Sequence, residues 1–336
     1  MTDLEVAPQE VRSAPDPAAA TIEILEPRDV PLGGPRAMSV RRTLPQRRRS
    51  LIGAWCFLDH YGPDDVAASG GMEVPGHPHT GLQTVTWLFE GEVEHRDTLG
   101  TLRVIRPGDV NLMTAGAGIA HSEYSTPGTT RLHGAQLWIA LPDAERDGAR
   151  AFENYAAPQV LLGEARMRVF LGELAGERSP VATWTPVLGV ELLLPAGAAL
   201  ELPVDPLFEH GVLVDEGTIT VDGTSATPGQ LLYRGPVDAP LRISAAEDAR
   251  LLLIGGVPLG EPIVMWWNFV ARSHEEIVEQ RDRWQAQRAA AAAGVGRSGP
   301  YGDFPDVWEH VLPAPELPTV RLKPRDSPDR DRGGPR

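Results

Sequence analysis

Short apolar runs, cut by Gly, Pro and Asp, set the pattern of this chain. Thr84–Phe89 (TVTWLF), Leu102–Ile105 and Val110–Met113 each read as a strand bounded by turn residues. A second series of the same kind runs from Val187 to Gly256, through VELLLP, GVLVDEGTITVDG, GQLLYRG and ARLLLIGG. Within it, Asp222–Gly223 marks a hairpin, because a type I′ turn needs positive φ at both central residues. One helix is predicted, from Ser273 to Ala293. Ser273 and Glu276 form a capping box and Gly294 supplies the stop. The helix is read as packing on a sheet or a neighbouring domain.

The strands recur as a weak repeat. Glu90–Gly91 leads through an apolar strand to Pro107–Gly108–Asp109, and Glu216–Gly217 leads in the same way to Pro228–Gly229–Gln230. Two copies of one β-barrel unit account for the length of 336 residues. Histidines precede the first copy and a His–Glu pair follows it. The matching offsets in the second copy fall on Pro203, Asp205, Arg242 and Ser244, with only His210 nearby. One chemically competent barrel and one degenerate barrel are expected.

Composition narrows the function classes. Gly (35) and Pro (32) are abundant, which favours turn-rich β-structure over helical bundles. The formal net charge of −15 disfavours direct contact with nucleic acid, and no polybasic cluster adjoins an apolar anchor. Arg47–Arg48–Arg49, the densest basic patch, reads as a solvated turn before a strand. The single cysteine, Cys56, excludes an intrachain disulfide and a thiolate cluster. No signal peptide and no stretch of membrane-spanning length is visible, so a soluble cytoplasmic protein is expected, with a monomer credible for two packed barrels.

The chemistry concentrates in two H-x-H-like pairs. His77 and His79 are two apart, so in an extended segment both side chains point to one face, with Pro78 stiffening the approach at the start of a strand. His121 and Glu123 repeat that spacing on a later segment. Two such pairs on adjacent strands would aim four donors at one ion. Three imidazoles and a carboxylate suit Fe(II), and also Mn, Co, Ni or Cu(II). Four ligands leave two octahedral positions open, which makes the site catalytic rather than structural in character. No phosphate loop and no GxSxG elbow is present. His60 reads as structural, His133 and Glu145 have no spacing partner, and Trp138, Trp266 and Trp267 read as core.

These residues resemble the pirins, a branch of the cupin superfamily. The matching stretches are FLDHYGP (57–63), HPHTGLQTVTWLFEGEVEHRD (77–97), PGDVNLMTAGAGIAHSE (107–123) and GEPIVMWWNFVARSHEEI (260–277). The resemblance implies an all-β protein of two cupin-type antiparallel barrels packed together, with a C-terminal helix and metal in the first barrel alone. The expected organisation is a disordered tail over 1–20, a metal-binding barrel over 21–145, a degenerate barrel plus helix over 146–293, and an extended or disordered segment over 294–336. By match to the family motif the ligands are His77, His79, His121 and Glu123. Many pirins carry Glu at the position of Gln83. Gln83 and His95 are the candidates to bond the outer ring nitrogens of the ligating histidines.

Two functions follow from the resemblance. One is a metal-dependent dioxygenase of the quercetin 2,3-dioxygenase type, in which Glu123 accepts the proton of a flavonol or related enol before O2 opens the ring. The other is a non-enzymatic, iron-dependent regulator that binds a transcription factor or a metabolic enzyme, through protein contacts given the acidic surface.

Overall fold

The computed structural model describes residues 22–31 and 38–324. The expected tail over 1–20 and the last residues of the C-terminal segment lie outside the described residues. What is described forms two antiparallel β-barrels and one long helix.

Each barrel has a large and a small sheet. The first large sheet runs in the order Ala151–Ala156, Asp109–Thr114, Leu82–Glu90, Arg131–Ala140, Trp55–Asp65, Ser39–Leu44, Arg28–Pro31. Its small partner runs Glu73–His79, Ile119–Ser125, Val93–Asp97, Leu102–Ile105. The second large sheet runs Glu23–Leu25, Leu231–Arg234, Glu209–Glu216, Ala249–Gly256, Val187–Leu194, Ala165–Leu171, Val160–Leu162, and its small partner Ala199–Leu202, Leu241–Ala245, Ile219–Val221, Thr224–Ala226. The strand order of the small sheets is the same in both halves. Register agrees as well: Thr84 pairs with Met113, and the corresponding His210 pairs with Arg234. The weak sequence repeat is therefore a duplicated unit. Asp222 (φ 46°) and Gly223 (φ 85°) turn the hairpin between Ile219–Val221 and Thr224–Ala226.

The sheets do not stop at the expected boundary of 145/146. Ala151–Ala156 pairs with Asp109–Thr114 and completes the first barrel's large sheet. Glu23–Leu25 pairs with Leu231–Arg234 and completes the second barrel's. Each crossing strand covers an edge that would otherwise present unpaired backbone groups.

Period-two alternation sorts the side chains. On Leu82–Glu90, Val85 and Trp87 turn to the seam between the barrels, where they join Trp55, Leu137, Phe170, Leu213, Leu252 and Ile254. Trp87 stacks on Phe170 with ring centroids 4.5 Å apart. Thr84 and Thr86 take the other face, towards the interior of the first barrel. The second barrel's interior is filled by Leu, Val and Ile. Leu202, Leu241 and Ile243 occupy the strands that correspond to the histidine-bearing strands of the first barrel. This apolar filling leaves the second barrel's corresponding strands without the metal-ligand set.

Arg49 corrects the reading of the basic run. Arg47 and Arg48 are exposed, but Arg49 is buried. Its guanidinium lies 3.3 Å above the Tyr233 ring and within 3.7 Å of Glu209 and 3.2 Å of Glu23. A delocalised cation on an aromatic face stabilises the join between the two barrels.

The helix spans His274–Ala292, with Ser273 Oγ accepting from Glu276 N and Gly294 (φ 69°) beyond the C-cap. It buries Ile277 and Trp284 in a cluster with Trp266, Trp267, Phe269, Tyr301 and Phe304. The described part of the expected extended or disordered C-terminal segment is irregular but packed, because its aromatic residues anchor it to this cluster. No described helix is long and apolar enough to cross a membrane.

Candidate metal centre

The first barrel's small sheet brings the two pairs together. His77 and His79 lie on Glu73–His79, the edge strand, which is why Pro78 is tolerated near the strand's end rather than at its start. His77 stands directly opposite His121. An irregularity between His121 and Glu123 shifts the register so that Glu123 faces Val74. All four side chains are fully buried. His79 Nε2 and His121 Nε2 are 3.1 Å apart, and the rings of His77 and His121 are 4.3 Å apart between centroids.

Ring orientation follows from the outer contacts. His77 Nδ1 donates to Pro75 O at 2.9 Å, which leaves the lone pair on Nε2. That Nε2 is buried and has no hydrogen-bond partner, as a nitrogen reserved for an ion would be. His121 Nδ1 approaches His95 Nδ1 at 3.3 Å, and His95 Nε2 approaches Asp97 Oδ2 at 3.1 Å. Asp97 in turn accepts from the backbone N–H groups of Leu99 and Thr101. A carboxylate thus orients His95, which orients His121. Gln83 has a different partner: its amide donates to Thr114 Oγ1 at 2.9 Å, and it shares the face of Val85 and Trp87. The structure gives it no contact with a ligand imidazole, because strand parity turns it away.

Four residues around the centre, Thr86, Gln136, Trp138 and Phe57, were not picked out as site residues. Thr86 Oγ1 lies 3.4 Å from Glu123 Oε1 and donates to Gln136 Oε1 at 2.9 Å. Trp138 sets its edge against His79 at 5.2 Å and stacks on Phe57 at 4.0 Å. The signal was present in TVTWLF, where Thr84 and Thr86 share one face of an otherwise apolar strand. The hairpin Val264–Trp266/Phe269–Ala271 braces the far side. Phe269 bridges Thr80, and the backbone of Asn268 lies beside the His79 ring. Gly81 (φ 69°) permits this approach, since a Cβ there would stand 2.2 Å from Val270 O.

Burial holds His77, His79 and His121 well below the ordinary imidazole range, and repulsion from His77 adds to it for His79 and His121. Neutral imidazoles beside a carboxylate are a ligand set ready for a divalent cation, so the residues fit a metal ion. His60 is lowered by burial, and His210 is pushed down to about 4 by burial and Arg234. Each folded value lies below the unfolded one, so the unfolded chain binds more protons once the pH falls below about 6.5. The metal-free protein should therefore lose stability between pH 7 and pH 5, at up to about 1.4 kcal/mol per pH unit for each such histidine. Urea unfolding at the two pH values checks this, and a flat profile would contradict it.

A second His–carboxylate group sits at the seam. His60 Nε2 and His133 Nε2 each lie 2.6 Å from Asp215 Oδ1, and Arg250 Nη1 lies 3.1 Å from Asp215 Oδ2. His133, which has no partner in sequence spacing, finds one across the barrels. Arg41 Nη2 lies 3.2 Å from His60 Nδ1. A guanidinium can only donate, so Nδ1 carries the lone pair and Nε2 carries the proton given to Asp215. With that tautomer His60 gives its Nε2 proton to Asp215, and the cluster acts as a polar latch across the seam. Burial alone would raise the Asp215 pKa. The hydrogen bonds from His133 and His60 outweigh it and hold the carboxyl well below its usual range.

Comparison with known proteins agrees with this architecture. Residues 37–139 match the Pirin family model, and residues 189–290 match that of the pirin C-terminal cupin domain. A Pseudomonas aeruginosa protein provisionally named a quercetin 2,3-dioxygenase is 43% identical over 300 residues, which cover 89% of this chain and 95% of its own. A pirin-like protein of Caulobacter vibrioides is 35% identical over 74% of this chain and 88% of its own. Among solved structures, a quercetin 2,3-dioxygenase from Acinetobacter baumannii superimposes with a TM-score of 0.82 at 38% identity, covering 90% of this chain and 97% of that one.

Proposed function

Because the chain belongs to the pirin family, we propose that it is a metal-dependent oxygenase that opens the ring of a flavonol or a related enol with O2. The observation that carries the reading is the convergence of His77, His79 and His121, with neutral imidazoles and an unpartnered Nε2 on His77, beside a second group of His95, His121 and Glu123 that shares His121. The relatives named as quercetin 2,3-dioxygenases support the choice of substrate class.

In this reading His77, His79, His121 and Glu123 hold one divalent ion, Fe(II) by preference. The bound ion supplies Lewis acidity that lowers the pKa of an enolic hydroxyl. Glu123 takes that hydroxyl's proton, as a carboxylate beside an open position can. Thr86 Oγ1, 3.4 Å from Glu123 Oε1, flanks the carboxylate and limits the positions it can take. The Asp97–His95 pair holds the ring plane of His121. Trp138 and Phe57 form an apolar wall beside His79 that keeps water from the reacting face.

The test is quercetin consumption in air by protein reconstituted separately with Fe(II), Mn(II), Co(II), Ni(II) and Cu(II), with bound metal measured in each sample. Turnover with at least one ion is expected. A fully loaded protein that turns over nothing would overturn the quercetinase reading and leave an iron-dependent regulator as the better account.

A further inference from the structure

Both family models stop short of the last described segment, the second of them at residue 290. Beyond the helix the chain returns across the outside of the ligand-bearing sheet. The helix anchors this strap: Trp284 Nε1 donates to Leu312 O at 2.8 Å, and Gln287 bonds Gly302 O at 2.7 Å. From that anchorage Trp308 reaches both ligand strands. Its Nε1 donates to Ser122 Oγ at 3.0 Å, and Ser122 lies between His121 and Glu123. Its ring covers Gly76, the residue before His77, so closely that a Cβ there would stand 2.7 Å from the indole. Val311 bridges Gly76, and Leu312 N donates to Gly76 O at 2.7 Å. The strap therefore takes the free edge of Glu73–His79. A parallel strut runs nearby, where Thr98 Oγ1 donates to Tyr301 O and accepts from Ala120 N.

Alternation gives this contact its meaning. Ser122 alternates with His121 and Glu123, and Gly76 meets the indole one residue before His77, so Trp308 grips the backbone on which each pair is mounted. Coordination tolerates only about 0.5 Å of ligand displacement. We propose that Trp308 is a positioning residue for the ion site: by pinning Gly76 and Ser122 it fixes the spacing between the two ligand strands, and so sets metal affinity. This rests on the ligand set proposed above.

The test uses the full chain with Co(II) as probe, reading affinity by chelator competition and geometry by visible absorption, alongside the melting temperature of the metal-free protein. Trp308→Ala should weaken Co(II) binding about tenfold and alter the absorption bands, with Trp308→Phe recovering part of the affinity. Ser122→Ala, which removes only the hydrogen bond, should weaken binding roughly threefold to fivefold, and it carries the test if Trp308→Ala does not fold. Wild-type affinity and an unchanged spectrum in folded Trp308→Ala, or in Ser122→Ala where Trp308→Ala does not fold, would overturn the proposal, even if melting temperatures fall. Wild-type protein that binds no Co(II) would instead remove the ligand set itself, before any variant is compared.

Discussion

Replacing His121 with alanine lowers the affinity for a divalent ion by about a hundredfold or more. The loss of an outer-shell partner alone typically weakens metal binding 10–100-fold, and a missing ligand weakens it further. His121 sits at the centre of the arrangement: it faces His77 across the strand pair, approaches His79 at Nε2 and receives the orienting contact of His95. The barrel should survive, since the apolar clusters that hold it together do not include His121. Metal analysis of protein purified and reconstituted in parallel with wild type gives the answer. A full equivalent of iron in His121→Ala would refute the ligand assignment. His210→Ala is the control and should leave metal content unchanged, because the strands around it hold an apolar interior.

The second large effect is at the seam. Asp215→Ala should cost about 3–5 kcal/mol of unfolding free energy, the range for removing one partner from a buried charged cluster. The carboxylate accepts from two histidines of the first barrel and from Arg250 of the second. Without it, His60 and His133 lose the acceptor they share, and Arg250 keeps only its pairs with Glu191 and Glu216. Asp215→Asn should be milder, since an amide oxygen still accepts. Urea unfolding of both variants at pH 7.5 checks the order. A loss below about 1 kcal/mol in Asp215→Ala would show that water replaces the carboxylate.

The repeat and the three convergent histidines were legible because both rest on short-range periodicity. The H-x-H spacing and strand alternation dictate that His77 and His79 share a face, whatever else the chain does. The turn at Asp222–Gly223 and the cap at Ser273 are equally local. What stayed hidden depends on distant pairing. His133 carries no local signal, and its partner Asp215 is in the other barrel. Arg49 looks solvated in its basic run until Tyr233 and Glu209 arrive from the second half. Gln83 was placed near the ligands by the family pattern, and strand parity turned it towards Thr114 instead. The C-terminal segment looked extended or disordered because its aromatic anchors are spread among Pro, Gly and charge, with no period to mark the surface they cover.

The two crossing strands impose an order on biosynthesis. Glu23–Leu25 leaves the ribosome about two hundred residues before its partner Leu231–Arg234 exists. At roughly 5–20 residues per second that is a wait of about 10–40 s. Meanwhile the first barrel can close as soon as Ala151–Ala156 emerges. The nascent chain thus closes its histidine-bearing barrel early and keeps its first strand in reserve until the second half is nearly made.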